Sequence, residues 1–171
     1  LEKDHDRIVD KEGVFKIAVE SVREAKNLGY RVTSATTFFE GTTVEQAENF
    51  LDFLIPLGID GVTLSSAFRY PDAPDQEHFF GRKRTQEFFN ELLEKNKNGR
   101  WDISHSPLYL EFLQGRRDYE CTPWGNPNYS VLGWQKPCYL LDDGYAESFE
   151  ELMDTTNWDS YGHKNNLKCA D

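Results

Sequence analysis

The chain has 171 residues, enough for one domain with a core of its own and short for two. Its 38% hydrophobic and 29% charged content is that of a globular chain rather than a disordered one. A formal net charge of -11 excludes the basic footprint of a nucleic-acid binder and disfavours docking on anionic lipid, and no apolar run approaches the ~20 residues of a spanning helix.

Asp10 is placed to cap a helix over 12–28. Its apolar positions Val14, Phe15, Ala18, Val19, Val22 and Ala25 follow the 3.6-residue period, and Gly29 ends it. Residues 30–39, rich in Thr, Val and Phe, read as a buried strand. Thr42 and Thr43 offer N-caps, with Glu45 and Gln46 at capping-box spacing, to a helix that reaches about Leu57 and stops at Gly58. A second strand fits 59–66. Strand, helix and strand in so short a span make a βαβ unit with parallel strands. A long amphipathic helix is predicted over 75–96, with Phe79/Phe80, Phe88/Phe89 and Leu92/Leu93 as its apolar pairs, and 101–104 reads as a third strand.

Beyond that point the pattern changes. Ser106-Pro107 opens a short helix ending near Gly115. Residues 116–145 are rich in Pro, Gly, Trp and Tyr and read as loop and short hairpins packed by aromatics. Ser148 and Glu151 stand at capping-box spacing ahead of a short helix through Met153, and the polar stretch 158–171 is irregular. The chain thus divides into an α/β part, 1–104, and a cysteine-bearing extension, 105–171. A closed (β/α)8 barrel takes roughly 200 residues or more, so the α/β part is expected to be a slice of a larger sheet or a small three-strand sandwich. The chain itself is expected to be a portion of a longer protein.

In α/β sheets, ligands sit beyond the carboxyl ends of the parallel strands. Thr36, with Thr37, ends the first strand, and Ser65, Ser66, Phe68 and Tyr70 end and follow the second. These are the candidate cofactor contacts; the plain alternative is an ordinary loop with packed aromatics. His105, at the end of the third strand, is a candidate substrate contact on the same ground. His5, His78 and His163 have no ligand-spaced partner and read as polar side chains. Trp124, with Tyr129 and Trp134, could line an apolar substrate pocket or simply pack a loop-rich region. Asp142-Asp143-Gly144 reads as a turn. No carboxylate pair has a spacing that supports glycoside hydrolysis.

The cysteines number three, an odd count that does not fit a secreted disulfide framework and points to a reducing, cytoplasmic setting. Cys121 and Cys138 form the pattern C-x11-G-x4-C around Gly133, and Cys169 follows at a distance. Thiolates from separated segments suit an iron–sulfur cluster or zinc. A Cys121–Cys138 disulfide and three unpaired thiols are the other readings.

His5-Asp6-Arg7, Gly13-Val14-Phe15 and the βαβ unit together resemble the later half of a radical SAM partial barrel, and the C-x11-G-x4-C pattern resembles the auxiliary-cluster extension that follows such barrels. The segments 73–82, 106–113, 118–127, 133–141 and 166–171 resemble the hopanoid-biosynthesis radical SAM family, the adenosylhopane synthases. The resemblance covers essentially the whole chain and is most specific around Cys121. It implies a longer parent with a 4Fe–4S cluster on a C-x3-C-x2-C motif, a motif that this chain does not contain. That parent would cleave S-adenosylmethionine reductively and add the 5′-deoxyadenosyl group to the alkene of diploptene, a hopanoid lipid, giving adenosylhopane. It also implies a cytoplasmic protein peripheral to the membrane, with this chain alone inactive. An exposed sheet edge in such a slice is expected to favour self-association. Two other readings stay open: a small acidic α/β binding domain with structural cysteines, and a radical SAM enzyme acting on another substrate.

Overall fold

A computed structural model describes residues 1–69, 73–141 and 143–169. The chain begins with α1 (Glu2–Ile8) and α2 (Val14–Asn27). Asp10 does not cap α2, because the helix starts at Val14 with Gly13 at the N-cap position, and Asp10 lies before it in a left-handed turn at φ 51. The carboxylate of Asp6 does the capping from the preceding helix. It accepts the N–H groups of Gly13 at 2.6 Å and Phe15 at 2.8 Å, two of the donors that a helix start leaves without an intrahelical partner.

The strand expected over 30–39 narrows to β1 (Ser34–Phe38). The stretch before it is instead tied by Asp60, whose carboxylate takes the Val32 N–H and the Lys26 ammonium, each at 2.7 Å. Helix α3 (Val44–Leu54) starts as the sequence predicts. Thr43 accepts from the Gln46 N–H at 3.1 Å, and Gln46 returns the bond to the Thr43 N–H at 2.9 Å. A single 3-10 turn, Ile55–Leu57, carries the chain to Gly58 and on to β2 (Val62–Ser66). β1 and β2 are parallel, with Ser34 opposite Val62 and Phe38 opposite Ser66.

Helix α4 (Arg82–Glu94) is shorter than the predicted 75–96. Ahead of it the described residues form turns, with Asp75 accepting the Glu77 N–H and Phe80 N–H bonding Ala67 O. Phe80 still reaches the core from this loop, so the apolar pattern continued where the helix did not. The third strand reduces to one parallel bridge, Val62 to Ile103. Gly61 allows it: a Cβ there would lie 2.0 Å from Ser104 Oγ.

Phe38, Val62 and Leu64 from the strands, Leu51 and Leu54 from α3, and Phe88, Phe89 and Leu92 from α4 form one buried cluster. Side chains alternate across a strand, so Thr36 and Phe38 share the helix-covered face with Leu64 and Ser66. On the opposite face Ala35, Thr37, Asp102 and Ser104 are exposed, and Thr63 and Ser65 are half-buried. The parallel sheet is therefore covered by helices on one face and open on the other.

In the extension, α5 (Pro107–Leu113) has Ser106 as its cap, as read from the sequence, and packs on α4. A small antiparallel sheet follows: β3 (Tyr129–Ser130), β4 (Gly133–Gln135) and β5 (Tyr145–Ala146), in the order β3-β4-β5. Helix α6 (Phe149–Thr155) lies against β4 and β5, and Pro137, Leu141, Ala146 and Leu152 are buried there apart from the main cluster. The result is a mixed α/β chain with one small parallel and one small antiparallel sheet; the described residues form no closed barrel. Among the described residues no helix is long and apolar enough to cross a membrane.

Candidate functional site

Two places gather chemistry. The first is the carboxyl end of the parallel sheet. Thr37 Oγ1 and Ser65 Oγ, on the open face, lie 3.0 Å apart and form a hydroxyl pair bridging the two strands. Phe68, just beyond β2, is 43% exposed and presents an aromatic ring at the same end. Thr36 and Ser66 point the other way, toward the helices. Thr36 Oγ1 is satisfied by Ser34 Oγ at 2.8 Å. Ser66 is 1% exposed, and its hydroxyl has no hydrogen-bond partner, the one such buried side-chain atom among the described residues. Tyr70 lies outside the described residues. Strand alternation thus separates Thr37 and Ser65, free to meet a ligand from the open face, from Thr36 and Ser66 within the layer.

His105 stands at the third-strand position. Its Nε2 is 2.8 Å from the Leu64 N–H and 2.9 Å from the Leu64 carbonyl, and its ring packs on Tyr109 at 4.5 Å between centroids. One of its two nitrogens is therefore engaged by the sheet backbone. Burial lifts the Tyr109 phenol above its usual range. Trp124 is half exposed on a 3-10 turn, Pro123–Gly125, remote in sequence from the strand ends.

The second place is the cysteine group. Cys121 leads into the 3-10 turn, Cys138 lies between β4 and β5, and Cys169 ends the last described turn, Leu167–Cys169. All three are free thiols. Cys121 lies at the surface, yet its thiol is held above the usual range, first by partial desolvation and then by the proximity of Cys138 and Cys169. The Tyr161 phenol is raised by burial and by Asp143, with Cys169 and Cys138 contributing. Three separate segments therefore bring their thiols into one neighbourhood. Among the described residues, no three His, Cys, Asp or Glu side chains stand close enough together to hold a metal ion. The donor set is soft and suits zinc or an iron–sulfur cluster; as folded, the thiols are neighbours without converging on a common centre.

The sequence reading missed the residues that assemble this neighbourhood. Asp143, read as part of a turn, accepts from the Tyr161 hydroxyl at 2.9 Å and from Lys168 Nζ at 2.7 Å. Asp118 pairs with Arg82 at 2.6 Å and with His163 at 3.4 Å. The Lys168 contact holds the Asp143 carboxyl below its ordinary range, and the Arg82 contact does the same for Asp118. The one sequence signal was the clustering of Asp, Tyr, His and Lys around the cysteines.

The fold and the site define a mixed α/β domain with a cysteine-bearing extension. The chain belongs to the family described as a domain of unknown function (DUF3463), whose model matches residues 62–171. No curated protein and no solved structure matches the chain.

Proposed function

We propose that this chain is the later, thiol-bearing portion of a radical SAM enzyme that adds the 5′-deoxyadenosyl group of S-adenosylmethionine to the alkene of a hopanoid lipid, diploptene, to form adenosylhopane. The observation that carries the reading is the parallel sheet left open on one face. Parallel sheets are ordinarily buried on both faces, and here the helix-free face bears small polar side chains at the strand ends where α/β proteins place ligands. A slice of a partial barrel has this character, because its helices cover only the outer face of the sheet.

In this reading the Thr37–Ser65 hydroxyl pair offers donors and acceptors to the ribose or amino-acid part of the cosubstrate, and Phe68 offers a ring for the adenine to stack on. When bound, S-adenosylmethionine supplies the adenosyl group, with an electron drawn from a 4Fe–4S cluster carried outside this chain. Cys121, Cys138 and Cys169 would supply soft thiolate donors to a separate metal centre that draws them together with a further donor. Among the described residues the outer edge of β1 is unpaired, and this belongs to the same picture: strands of the longer protein would cover it, and in the isolated chain it favours self-association.

The test uses the longer protein, anaerobically reconstituted and reduced, incubated with S-adenosylmethionine and diploptene. Adenosylhopane detected by mass supports the proposal. Release of 5′-deoxyadenosine without an adduct keeps the enzyme class and discards the hopanoid substrate. No cleavage by a protein whose cluster is shown intact discards both and favours an acidic α/β binding domain with structural cysteines.

A further inference from the structure

We propose that Asp143 is the positioning residue of the thiol neighbourhood: through Tyr161 and Lys168 it holds the segment bearing Cys169 across the turn bearing Cys138. The inference rests on the reading of the three cysteines as ligands and assigns a role to a residue outside that set.

The segment after α6 has little to hold it by packing. It contains two single 3-10 turns, Trp158–Ser160 and Leu167–Cys169, and Leu167 is 94% exposed. Such a segment keeps its place through specific polar contacts or not at all. Asp143 is well fixed to provide them. Its own N–H bonds the Lys136 carbonyl at 3.2 Å, and the neighbouring Gly144 carbonyl accepts the Lys136 N–H at 2.8 Å. Lys136 and Asp143 thus close the turn on which Cys138 sits, between β4 and β5. The two carboxylate oxygens of Asp143 then take one donor each: Oδ2 the Tyr161 hydroxyl, Oδ1 the Lys168 ammonium. Tyr161 and Lys168 bracket the final loop, and Lys168 is the residue directly before Cys169.

The opposite flank is held in parallel. Asp118, three residues before Cys121, meets His163 and is itself anchored to α4 by Arg82. Between these two clasps the chain passes close to Cys121 at Gly162, where a Cβ would lie 3.5 Å from Cys121 Cβ. The carboxylate chemistry at Asp143 is specific. An amide of the same shape offers one oxygen and cannot accept from both partners with equal geometry, whereas Glu retains both oxygens.

The experiment follows the thiols in two ways on the chain as described, reduced and metal-free. Dibromobimane, which fluoresces once it bridges two thiols, reports their approach without metal. Titration with cobalt(II), followed by its thiolate charge-transfer absorption, reports their use as ligands. In a Cys121→Ser background the Cys138–Cys169 bridge is expected to form, and Asp143→Ala to lower it several-fold. In the chain with all three cysteines, Asp143→Ala is expected to weaken cobalt(II) binding about ten-fold, the size of effect known for groups that orient ligands. Asp143→Glu should restore much of both. Tyr161→Phe removes one hydroxyl alone, leaves the packing intact and should show an intermediate loss. Unchanged bridging in Asp143→Ala, or no bridging with Asp143 present, overturns the proposal. Loss of bridging with no thiolate–cobalt(II) absorption, with or without Asp143, retains the role of Asp143 and removes the ligand reading instead.

Discussion

The imidazole of His105 takes the place of a strand rung beside Leu64. In β2 the N–H of Val62 bonds the Asp102 carbonyl and its carbonyl accepts the Ser104 N–H, each at 2.8 Å. The next rung on that edge belongs to Leu64 and would need the Ser106 N–H, but there the chain has already turned to become the N-cap of α5. His105 Nε2 meets the Leu64 amide and carbonyl instead, accepting from the first or donating to the second according to its tautomer. His105→Ala should therefore leave a part-buried backbone group unpaired and cost about 1–3 kcal/mol. His105→Gln, with a polar group of similar reach, should recover part of it. Urea unfolding of the two variants beside the unaltered chain measures the difference. An unchanged midpoint in His105→Ala would mean that water replaces the ring without loss.

The clasp between Asp6 and the start of α2 makes stability depend on pH in one direction. The Phe15 N–H is the largest influence holding the Asp6 carboxyl below its ordinary 3.8, with the Gly13 N–H and His5 acting in the same sense. A depressed folded-state value means that the clasp's contribution is complete above the unfolded value and is lost as pH falls through the lower, folded one. Urea midpoints measured downward from pH 5 should fall for the unaltered chain in that acidic window. Asp6→Asn should start lower and lose this component of the slope. Equal slopes for the two would show that other carboxylates carry the acid response.

The parallel pairing of Ser34 with Val62 turns the N–H and C=O groups of Ala35 and Thr37 away from β2, toward the open edge. Beside that edge a cleft of about 650 Å³ runs between α2 and α3, with Phe15, Val19, Val22, Phe50 and Phe53 among its walls. An edge strand flanked by apolar walls is a template for another strand. Light scattering at rising concentration should show association of the isolated chain, and Ala35→Pro, which removes an outward N–H, should reduce it. A chain that stays monomeric up to high concentration would show that α2 shields the edge well enough alone.

Local signals in the sequence proved legible. The Thr43–Gln46 box and the Ser106 cap with Pro107 depend on residues three apart and appear where the pattern places them. Phe88, Phe89 and Leu92 were readable as core from their helical period. What was not legible depends on partners distant in the chain. Asp6 displaced Asp10 as the cap of α2 because its carboxylate reaches seven and nine residues ahead, which no capping pattern encodes. The predicted helix over 75–96 lost its first turns because an apolar Phe80 fits the core equally well from a loop. At the strand ends, sequence could name the hydroxyl-rich stretch but not its register, and register alone decides that Thr37 meets Ser65 while Thr36 turns toward the helices. Asp143 looked like turn chemistry because its partners lie 18 and 25 residues further on.

Ser66 offers the sharpest separation between folding and binding at the strand ends. Its hydroxyl is buried at the carboxyl end of β2 without a hydrogen-bond partner. A buried, unsatisfied hydroxyl costs about 1–3 kcal/mol, and the void left by deleting one oxygen is small. Ser66→Ala should thus leave the ligand-free chain as stable as before or stabilise it by about 1 kcal/mol. Because the hydroxyl faces the helices and not the open face, the same substitution should leave S-adenosylmethionine binding to the longer protein unchanged. Urea unfolding of the chain and calorimetric titration of the longer protein read the two effects independently. Stability gained with affinity unchanged would make Ser66 a packing residue alone. Stability lost would mean that the hydroxyl has a partner in solution, and affinity lost would mean that the cosubstrate reaches the helix-covered side of the strand ends rather than Thr37 and Ser65 on the open face.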